Sequence, residues 1–251
     1  MLVAQLTDPH ICRGGELAFG DVDTLGFLRR AVRKLNDLAV DLVLVTGDLV
    51  ERGEAEEYPV VRAELDRLRA PYLPLPGNHD GPDFWPVFAD RLPEAVPGLG
   101  AVHQTGGVRI VLLDSSVPGE PGGAVSPERE EWLRGVLEPG AILAMHHPPI
   151  ETGIARMDAI GLAGVERLAG VLEGATPRVI LCGHLHRSIH GTLRGVPVRV
   201  APSCAHAVAF DLDPDAPLRI VMDPPAVLVH RIAGDGLVSH TVFVPPDGPG
   251  A

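Results

Sequence analysis

Short apolar runs alternate along the chain with segments whose apolar residues recur at helical spacing. Asp23 is the expected N-cap of a first helix with apolar residues from Leu25 to Leu38, and Ser126 with Pro127 marks the start of a later helix. Apolar runs between the helices predict buried strands at Leu2–Leu6, Leu42–Thr46, Tyr72–Leu75, Val108–Leu113, Ala141–Met145 and Val179–Cys182. This order of strands and helices is typical of an α/β fold.

Residues 187–243 have a different pattern, with short alternating strands, turn residues between them and no predicted helix. Consecutive strands pair antiparallel, so we expect a second sheet beside the first. Its strands, together with strands on the substrate side, are expected mainly in residues 187–244. The sequence therefore predicts one domain over residues 1–244 and a flexible tail over residues 245–251.

Side chains that commonly bind metals follow five of the predicted strands. They are Asp8 and His10, Asp48, Asn78 and His79, His146 and His147, and His184 and His186. The carboxyl ends of parallel strands meet at the edge of a sheet where α/β proteins bind their ligands. Because the four residues Leu42–Val45 are aliphatic without polar alternation, we expect Asp48 to be buried, and a buried carboxylate needs a cationic partner, although Asp48 could also only turn the chain after the strand. We therefore expect Asp48 to bridge two metal ions.

The donor types restrict the metals that such a site can hold. Nitrogen and oxygen donors without thiolates suit Mn, Fe, Zn, Co or Ni and fit Ca or Cu(I) poorly. One ion uses three or four of these groups, so the number of candidates indicates a pair of divalent or mixed-valence ions. Two ions roughly 3.5–4 Å apart suit phosphoester displacement, because they clamp the attacking and leaving oxygens and acidify a water held between them.

The motifs D-P-H, G-D, G-N-H-D, H-H-P-P and G-H-L-H resemble those of the calcineurin-like metallophosphoesterases, in the same order. They span residues 8–186, and the segments around Glu56, Asp114 and Asp158 are similar to class III cyclic nucleotide phosphodiesterases and bacterial glycerophosphodiesterases. The resemblance implies a four-layer α/β/β/α sandwich with two central mixed β-sheets. It also implies a first ion on Asp8, His10 and His186, a second on Asn78, His146 and His184, and a bridge at Asp48.

The resemblance extends to residues beside the ions. His79 is similar to the family's substrate-contacting histidine, which can bind a phosphoryl oxygen or protonate the leaving oxygen, although it could also only shape its loop. His147 is expected to support the ligands from behind, and Asp80 either orients the His79 ring or turns the chain. His206 aligns with a substrate-side histidine of the glycerophosphodiesterases, with a structural role also open. Arg52 resembles the phosphate-holding arginine of phosphoprotein phosphatases, but a solvent-facing role is favoured because those enzymes carry G-N-H-E.

These residues predict a binuclear metal-dependent phosphodiesterase that acts by in-line attack of a bridging hydroxide. The expected substrates are small phosphodiesters, either 3′,5′-cyclic nucleotides such as cyclic AMP or glycerophosphodiesters. In this interpretation the carboxylate of Asp48 balances the positive charge of the ions, and His79 assists departure of the alkoxide. Arg52 motivates one alternative, a broad-specificity phosphomonoesterase or phosphoprotein phosphatase. A non-catalytic metal-binding scaffold is the other, although every motif position is filled here.

Composition narrows the partners and the location. The net charge of −12 argues against nucleic acid as a partner, and therefore against a nuclease. The three cysteines form no C-x-x-C pair, which favours the cytoplasm. No apolar run approaches the ~20 residues of a membrane span, and the amino terminus lacks the basic region of a signal peptide. The resemblance also favours a homodimer, although no predicted helix carries an apolar seam that demands one.

Overall fold

The computed structural model describes residues 1–245 of the 251-residue chain. The strands are β1 (Leu2–Leu6), β2 (Leu42–Thr46), β3 (Tyr72–Leu75), β4 (Gly100–Thr105), β5 (Val108–Leu113), β6 (Ser116–Val117), β7 (Glu120–Ala124), β8 (Ile142–Met145), β9 (Leu162–Ala163), β10 (Val179–Cys182), β11 (Ile189–Leu193), β12 (Val196–Val200), β13 (Ala207–Val208), β14 (Ile220–Val221), β15 (Ala226–Ala233) and β16 (Gly236–Phe243). The helices are α1 (Thr24–Leu38), α2 (Tyr58–Leu65), α3 (Phe84–Phe88), α4 (Pro127–Val136), α5 (Ala155–Asp158) and α6 (Val165–Leu172).

Both predicted helix starts are confirmed. The Asp23 carboxylate caps α1 and accepts a hydrogen bond from the Gly26 amide at 2.8 Å. Ser126 caps α4 and accepts from the Arg129 amide at 3.3 Å, while Pro127 occupies the first helical position. The apolar runs that predict buried strands all form strands, and the bounds differ only at β8, which begins at residue 142.

A five-stranded sheet contains the amino-terminal strands in the order β16-β15-β1-β2-β3. Strands β1, β2 and β3 are parallel, and β15 and β16 extend the sheet with antiparallel pairing. Helices α1 and α2 connect the parallel strands. Because these strands run in the same direction, the residues that follow them reach one edge of the sheet.

A six-stranded sheet has the order β11-β12-β10-β8-β5-β4, with β5, β8, β10 and β12 parallel. This sheet comes mainly from residues 100–200, which differs from the expected position in residues 187–244. Strands β11 and β12 join it as expected, whereas β15 and β16 join the first sheet. An alternating pattern predicts antiparallel pairing but not the partner, because the edge strands of both sheets offer unpaired backbone groups.

The two sheets pack face to face around a shared apolar core. Alternate residues of a strand point to opposite faces of its sheet. Ile110, Ile142 and Leu181 belong to the core shared with the first sheet and α1, whereas Val111 and Leu143 belong to a second core with α4 and α6. The layers therefore follow the order α/β/β/α that the resemblance implies. Each fully buried aliphatic side chain contributes ~1.5–3 kcal/mol, so the packed layers hold the strand ends in place.

The core between the sheets includes residues from Val3 to Val244, and the single domain over residues 1–244 stays a prediction. The predicted tail lies outside the described residues, apart from Pro245, which is exposed. None of the helices described between residues 1 and 245 combines the length and the apolar character needed to cross a membrane.

Candidate metal centre

The expected ligands meet where the carboxyl ends of the two sheets come together. Backbone hydrogen bonds join their loops: the Asp8 amide donates to the Gly47 carbonyl at 3.1 Å, and the Gly183 amide donates to the His146 carbonyl at 3.0 Å. Asn78 is half-buried. The other expected ligands are buried, namely Asp8, His10, Asp48, His146, His184 and His186. The structure therefore brings all of the predicted ligands together.

Left-handed backbone conformations are concentrated at these ligands. Within the described part of the chain, eight non-glycine residues have positive φ, and five of them are Asp8, His10, Asp48, His184 and His186, with φ between 47° and 71°. Such conformations cost ~1–3 kcal/mol each and persist only where the surroundings enforce them. They turn each chain segment sharply at its strand end, and this directs the side chains toward a common centre.

Two glycines of the motifs lie so close to expected metal ligands that no other residue fits there. Gly47 has a φ of 95°, and a Cβ atom there would collide with the His146 ring. A Cβ atom at Gly77 would collide with Oδ1 of Asp48. The glycine before Asp48 and the glycine before Asn78 therefore leave room for ligands that arrive from neighbouring strands.

Each of the four ligand histidines has an oxygen acceptor at its outer ring nitrogen. The pairs are His10 Nδ1 with Glu51 Oε2 at 2.8 Å, His146 Nδ1 with the Thr46 carbonyl at 2.8 Å, His184 Nε2 with the Ile160 carbonyl at 3.1 Å, and His186 Nδ1 with the His206 carbonyl at 3.1 Å. Because these oxygens only accept, the ring nitrogens facing them must donate. The neutral imidazole then carries its lone pair on the opposite nitrogen, which is the arrangement of metal-binding histidines.

The inner nitrogens of these histidines face other acceptor atoms at short range. The distances are 3.1 Å between His10 Nε2 and His186 Nε2, 3.1 Å between His184 Nδ1 and Asn78 Oδ1, and 3.2 Å between His146 Nε2 and Asp48 Oδ2. Lone pairs that face each other repel unless a proton or a cation lies between them. His146 Nε2 is buried without a hydrogen-bond partner. The residues present therefore fit divalent metal ions.

The buried acids show the same need for positive charge. Burial alone would raise the pKa of Asp8, but the nearby His186 lowers it to about 2. Burial would also raise the pKa of Asp48, and His146 holds it well below its usual range. In return, burial lowers the pKa of His146 but Asp48 raises it to about 9. The negative charge of Asp48 therefore favours a positive charge at His146, which either a proton or a bound metal ion supplies.

His147 lies beside the ligands, but both of its ring nitrogens contact other protein atoms. Its Nδ1 is 2.9 Å from Ser115 Oγ, and its Nε2 is 3.3 Å from the Pro121 carbonyl. Its ring centroid is 4.9 Å from that of His146 and 4.6 Å from that of His184. This position agrees with the predicted role behind the ligands.

His79 is half-buried next to the candidate first-ion site. Its Nδ1 donates to the Glu51 carbonyl at 2.7 Å, and its amide donates to Asp48 Oδ1 at 2.9 Å. Its ring meets that of His10 edge to face, with 4.6 Å between the centroids. Burial lowers the pKa of His79, but the Asp48 carboxylate raises it above its ordinary value. With Nδ1 engaged, Nε2 is the atom left for a substrate.

Asp80 does not orient the His79 ring, so that part of the sequence interpretation is wrong. Its Oδ2 accepts hydrogen bonds from the Leu49 amide at 3.1 Å and the Gly77 amide at 2.9 Å. The Glu51 carbonyl occupies the ring nitrogen of His79 instead. Asp80 therefore has the alternative role, in which it shapes the turn.

His206 lies on the side of the candidate first ion, and Arg52 faces solvent. The His206 ring centroid is 4.6 Å from that of His186 and 5.2 Å from that of His10, and its buried Nδ1 has no hydrogen-bond partner. The Arg52 side chain is 51% exposed and lies 3.4 Å from a carboxylate oxygen of Glu16. The solvent-facing reading of Arg52 therefore fits the structure better than a phosphate clamp.

Two cavities adjoin the centre from different sides. One of about 390 Å³ is lined by His186, His206, Arg187 and Phe243 among others. The other, of about 470 Å³, is lined by Asn78, Trp85, Asp114 and Val117 among others. Each cavity includes at least one expected metal ligand in its wall, so each offers space next to the ions.

Sequence reasoning missed Glu51 and Phe19. The Glu51 carboxylate supports His10, but its only signal was its place three residues after Asp48. The Phe19 side chain is 55% exposed, has a φ of 53°, and places its ring edge to face with that of His206 at 5.0 Å. Positive φ at a bulky residue cannot be read from composition or periodicity.

The model of the calcineurin-like phosphoesterase family matches residues 1–188. The chain belongs to this family. It is 36% identical over 256 residues to a probable glycerophosphodiester phosphodiesterase of Arcobacter nitrofigilis, which covers 97% of this chain and 93% of that protein. It is 33% identical to a cAMP/cGMP dual specificity phosphodiesterase of Mycobacterium tuberculosis, over 82% of this chain and 68% of the relative.

The fold agrees with that membership. A dimetal phosphatase from Danio rerio superposes with a TM-score of 0.63 at 15% identity, covering 98% of this chain and 99% of the other. At this identity the likeness shows the shared fold alone. Membership of the family implies divalent metal ions, and the clustered histidines and acids provide ligands for them.

Proposed function

We propose that this chain is a metal-dependent phosphodiesterase that hydrolyses small phosphodiesters at the metal centre. The observation that carries the proposal is that four histidines, each with its outer ring nitrogen hydrogen-bonded to an oxygen, meet two buried carboxylates where the ends of the two sheets come together. The relatives from Arcobacter nitrofigilis and Mycobacterium tuberculosis are both named as phosphodiesterases, which supports diesters over monoesters as substrates. Cyclic nucleotides, with cyclic AMP first, and glycerophosphodiesters are the substrate classes to test.

The centre would hold two ions. Asp8, His10 and His186 would bind the first, Asn78, His146 and His184 the second, and Asp48 both. One ligand atom from each of Asp8, His10, Asp48 and His186 lies within 4.8 Å of the others, which supports the first group. The contacts of His184 with Asn78 and of His146 with Asp48 support the second. Mn, Fe, Zn and Co suit this mixture of nitrogen and oxygen donors.

Bound divalent ions would supply Lewis acidity at the phosphoryl oxygens and lower the pKa of water, so that hydroxide is available near neutral pH. The protein contributes the rest. Asp8 and Asp48 balance the positive charge, and Nε2 of His79 donates a proton to the ester oxygen that leaves. Because Nδ1 of His79 donates to the Glu51 carbonyl, Nε2 has a proton to give only when the ring is an imidazolium. The Asp48 carboxylate favours that form, since it raises the pKa of His79.

The two cavities beside the centre suit the two organic groups of an acyclic phosphodiester. In an in-line displacement the leaving group lies opposite the attacking hydroxide and the retained ester group lies to the side of the phosphorus, so the two groups need separate space. The cavity of about 470 Å³ next to Asn78 is lined by the large apolar side chain of Trp85. The cavity of about 390 Å³ next to His186 contains His206 and Arg187, which suit a polar group.

A substrate panel tests the proposal. Metal-reconstituted protein would be given cyclic AMP, a glycerophosphodiester, bis(p-nitrophenyl) phosphate and p-nitrophenyl phosphate at equal concentration. We expect faster turnover of at least one diester than of the monoester. Preference for the monoester would favour the phosphatase alternative, for which the exposed Arg52 gives no support. Failure to hydrolyse any ester would favour the scaffold alternative.

The expected partners and location stay predictions. The homodimer would appear as a doubled mass in light scattering after size-exclusion chromatography. The expected lack of nucleic-acid binding follows from the net charge of −12, and a DNA and RNA cleavage assay checks it. Cell fractionation checks the cytoplasmic location.

A further inference from the structure

Glu51 is held against a metal ligand by its own backbone. The Glu51 amide donates to the Ile11 carbonyl at 3.1 Å, and the Ile11 amide donates to the Leu49 carbonyl at 3.0 Å. These bonds align the loop after β2 with the loop after β1 as a short parallel bridge. The register places the Glu51 carboxylate at the His10 ring, with 2.8 Å between Oε2 and Nδ1. The contact therefore follows from the path of both loops.

This contact distinguishes His10 from the other ligand histidines. His146, His184 and His186 donate their outer N–H to neutral backbone carbonyls. His10 donates to a carboxylate whose side chain is only 16% exposed. A charged acceptor raises the basicity of a ligating imidazole more than a neutral one does, and it adds negative charge next to the cation.

We infer that Glu51 is a positioning residue that tightens binding of the first ion through His10 and, through its backbone, fixes the ring of His79. The two roles use different atoms. The carboxylate contacts His10, whereas the carbonyl accepts from His79 Nδ1 at 2.7 Å. A change of the side chain should therefore weaken the ion site while leaving the anchor of His79 in place.

The inference rests on the proposed metal centre and is tested on the whole chain. Glu51→Gln keeps the length and an oxygen acceptor for His10 but removes the charge. The matched control is Glu54→Gln, which removes one charge from the same loop, where Glu54 pairs with Arg13 at 3.5 Å instead of contacting His10. Circular dichroism and thermal unfolding of the metal-free proteins verify that both variants fold.

Calorimetric titration of metal-free protein with Mn²⁺ gives the decisive measurement. In Glu51→Gln we expect one of two binding steps to weaken ~10-fold or more, with the other unchanged, as is typical when the outer partner of a ligating histidine is lost. Glu54→Gln should match the wild type. The Mn²⁺ concentration for half-maximal hydrolysis of bis(p-nitrophenyl) phosphate should rise in parallel, and saturating Mn²⁺ should restore most of the lost turnover.

The outcomes separate this inference from the proposed function. If wild-type protein binds two ions and Glu51→Gln binds them equally well, the role of Glu51 is overturned while the metal centre stands. An equal loss of Mn²⁺ affinity in Glu54→Gln would also overturn the role of Glu51, because the loss would then come from the change in net charge and not from the contact with His10. Wild-type protein that binds no Mn²⁺ or other divalent ion would instead refute the metal centre itself.

Discussion

The most informative single substitution is Asp48→Asn. Asp48 is 2% exposed, and its Oδ1 accepts the His79 amide at 2.9 Å while its Oδ2 faces His146 Nε2 at 3.2 Å and His10 Nε2 at 3.6 Å. Asparagine keeps the shape and the oxygen that accepts from His79. It removes the negative charge that lies between the two proposed ion sites. The perturbation is therefore electrostatic, with little change in packing.

The size of the effect follows from Coulomb's law. Unit charges ~4 Å apart interact with ~4 kcal/mol at an effective dielectric constant of ~20. A divalent cation would interact more strongly with the carboxylate, but the loss of its hydration shell offsets part of that extra attraction. We therefore use the value for two unit charges as the expected loss of binding free energy. A loss of ~4 kcal/mol weakens ion binding ~1,000-fold, at ~1.4 kcal/mol per factor of ten.

Metal content after dialysis against micromolar Mn²⁺, measured by mass spectrometry, is the assay for Asp48→Asn. Wild-type protein should retain two ions and the variant fewer than one, and hydrolysis of bis(p-nitrophenyl) phosphate should fall in proportion. Asp23→Asn is the control, because Asp23 caps α1 and asparagine caps a helix equally well. Wild-type retention of both ions by Asp48→Asn would refute the bridging role.

Three further predictions concern the proton donor, the ions and a buried histidine. His79→Gln should lower kcat ~100-fold or more for cyclic AMP but less for bis(p-nitrophenyl) phosphate, because nitrophenolate leaves without a proton; equal losses would contradict this role. Chelation should lower the free energy of unfolding by ~2.7 kcal/mol for each ion removed, relative to protein with free metal at about 100 times Kd, and calorimetry measures the difference. Burial lowers the pKa of His230 from 6.5 to about 4. Between these two pH values the unfolded chain binds a proton at His230 and the folded chain does not. The free energy of unfolding should therefore fall by about 3 kcal/mol as the pH drops from 6.5 to about 4. In urea unfolding of metal-free protein, His230→Gln should reduce this pH dependence, and an unchanged dependence would contradict it.

The sequence was most informative where several strands deliver polar residues to one place. An apolar run without polar alternation predicts a strand buried on both faces, and parallel strands bring the residues after them to a common edge. This grouped Asp8 with Asp48, whereas the family motifs were needed to add His146, which follows a strand of the other sheet. The α/β order and the four layers followed from the same runs and from the family motifs.

Side-chain contacts within loops, and the sheet that each edge strand joins, could not be predicted from the sequence. Both Asp80 and Glu51 lie in tight turns after ligands, where left-handed residues such as Asp48 redirect the chain. Periodicity does not give side-chain directions there, so the sequence left two roles open for Asp80, of which contact with His79 was wrong, and it missed the contact of Glu51 with His10. Similarly, alternation in β15 and β16 could not show which sheet edge these strands would join.

Diester hydrolysis as a function of added metal shows whether the clustered histidines and acids form a catalytic metal centre. Metal-free protein at known concentration would be titrated with Mn²⁺, and release of AMP from cyclic AMP and of alcohol from a glycerophosphodiester would be followed in parallel with p-nitrophenyl phosphate. We expect turnover of at least one diester to rise from background, to level off near two ions per chain and to exceed turnover of the monoester. Diester turnover that is absent at every metal concentration, or unchanged by removal of the metal, would contradict it.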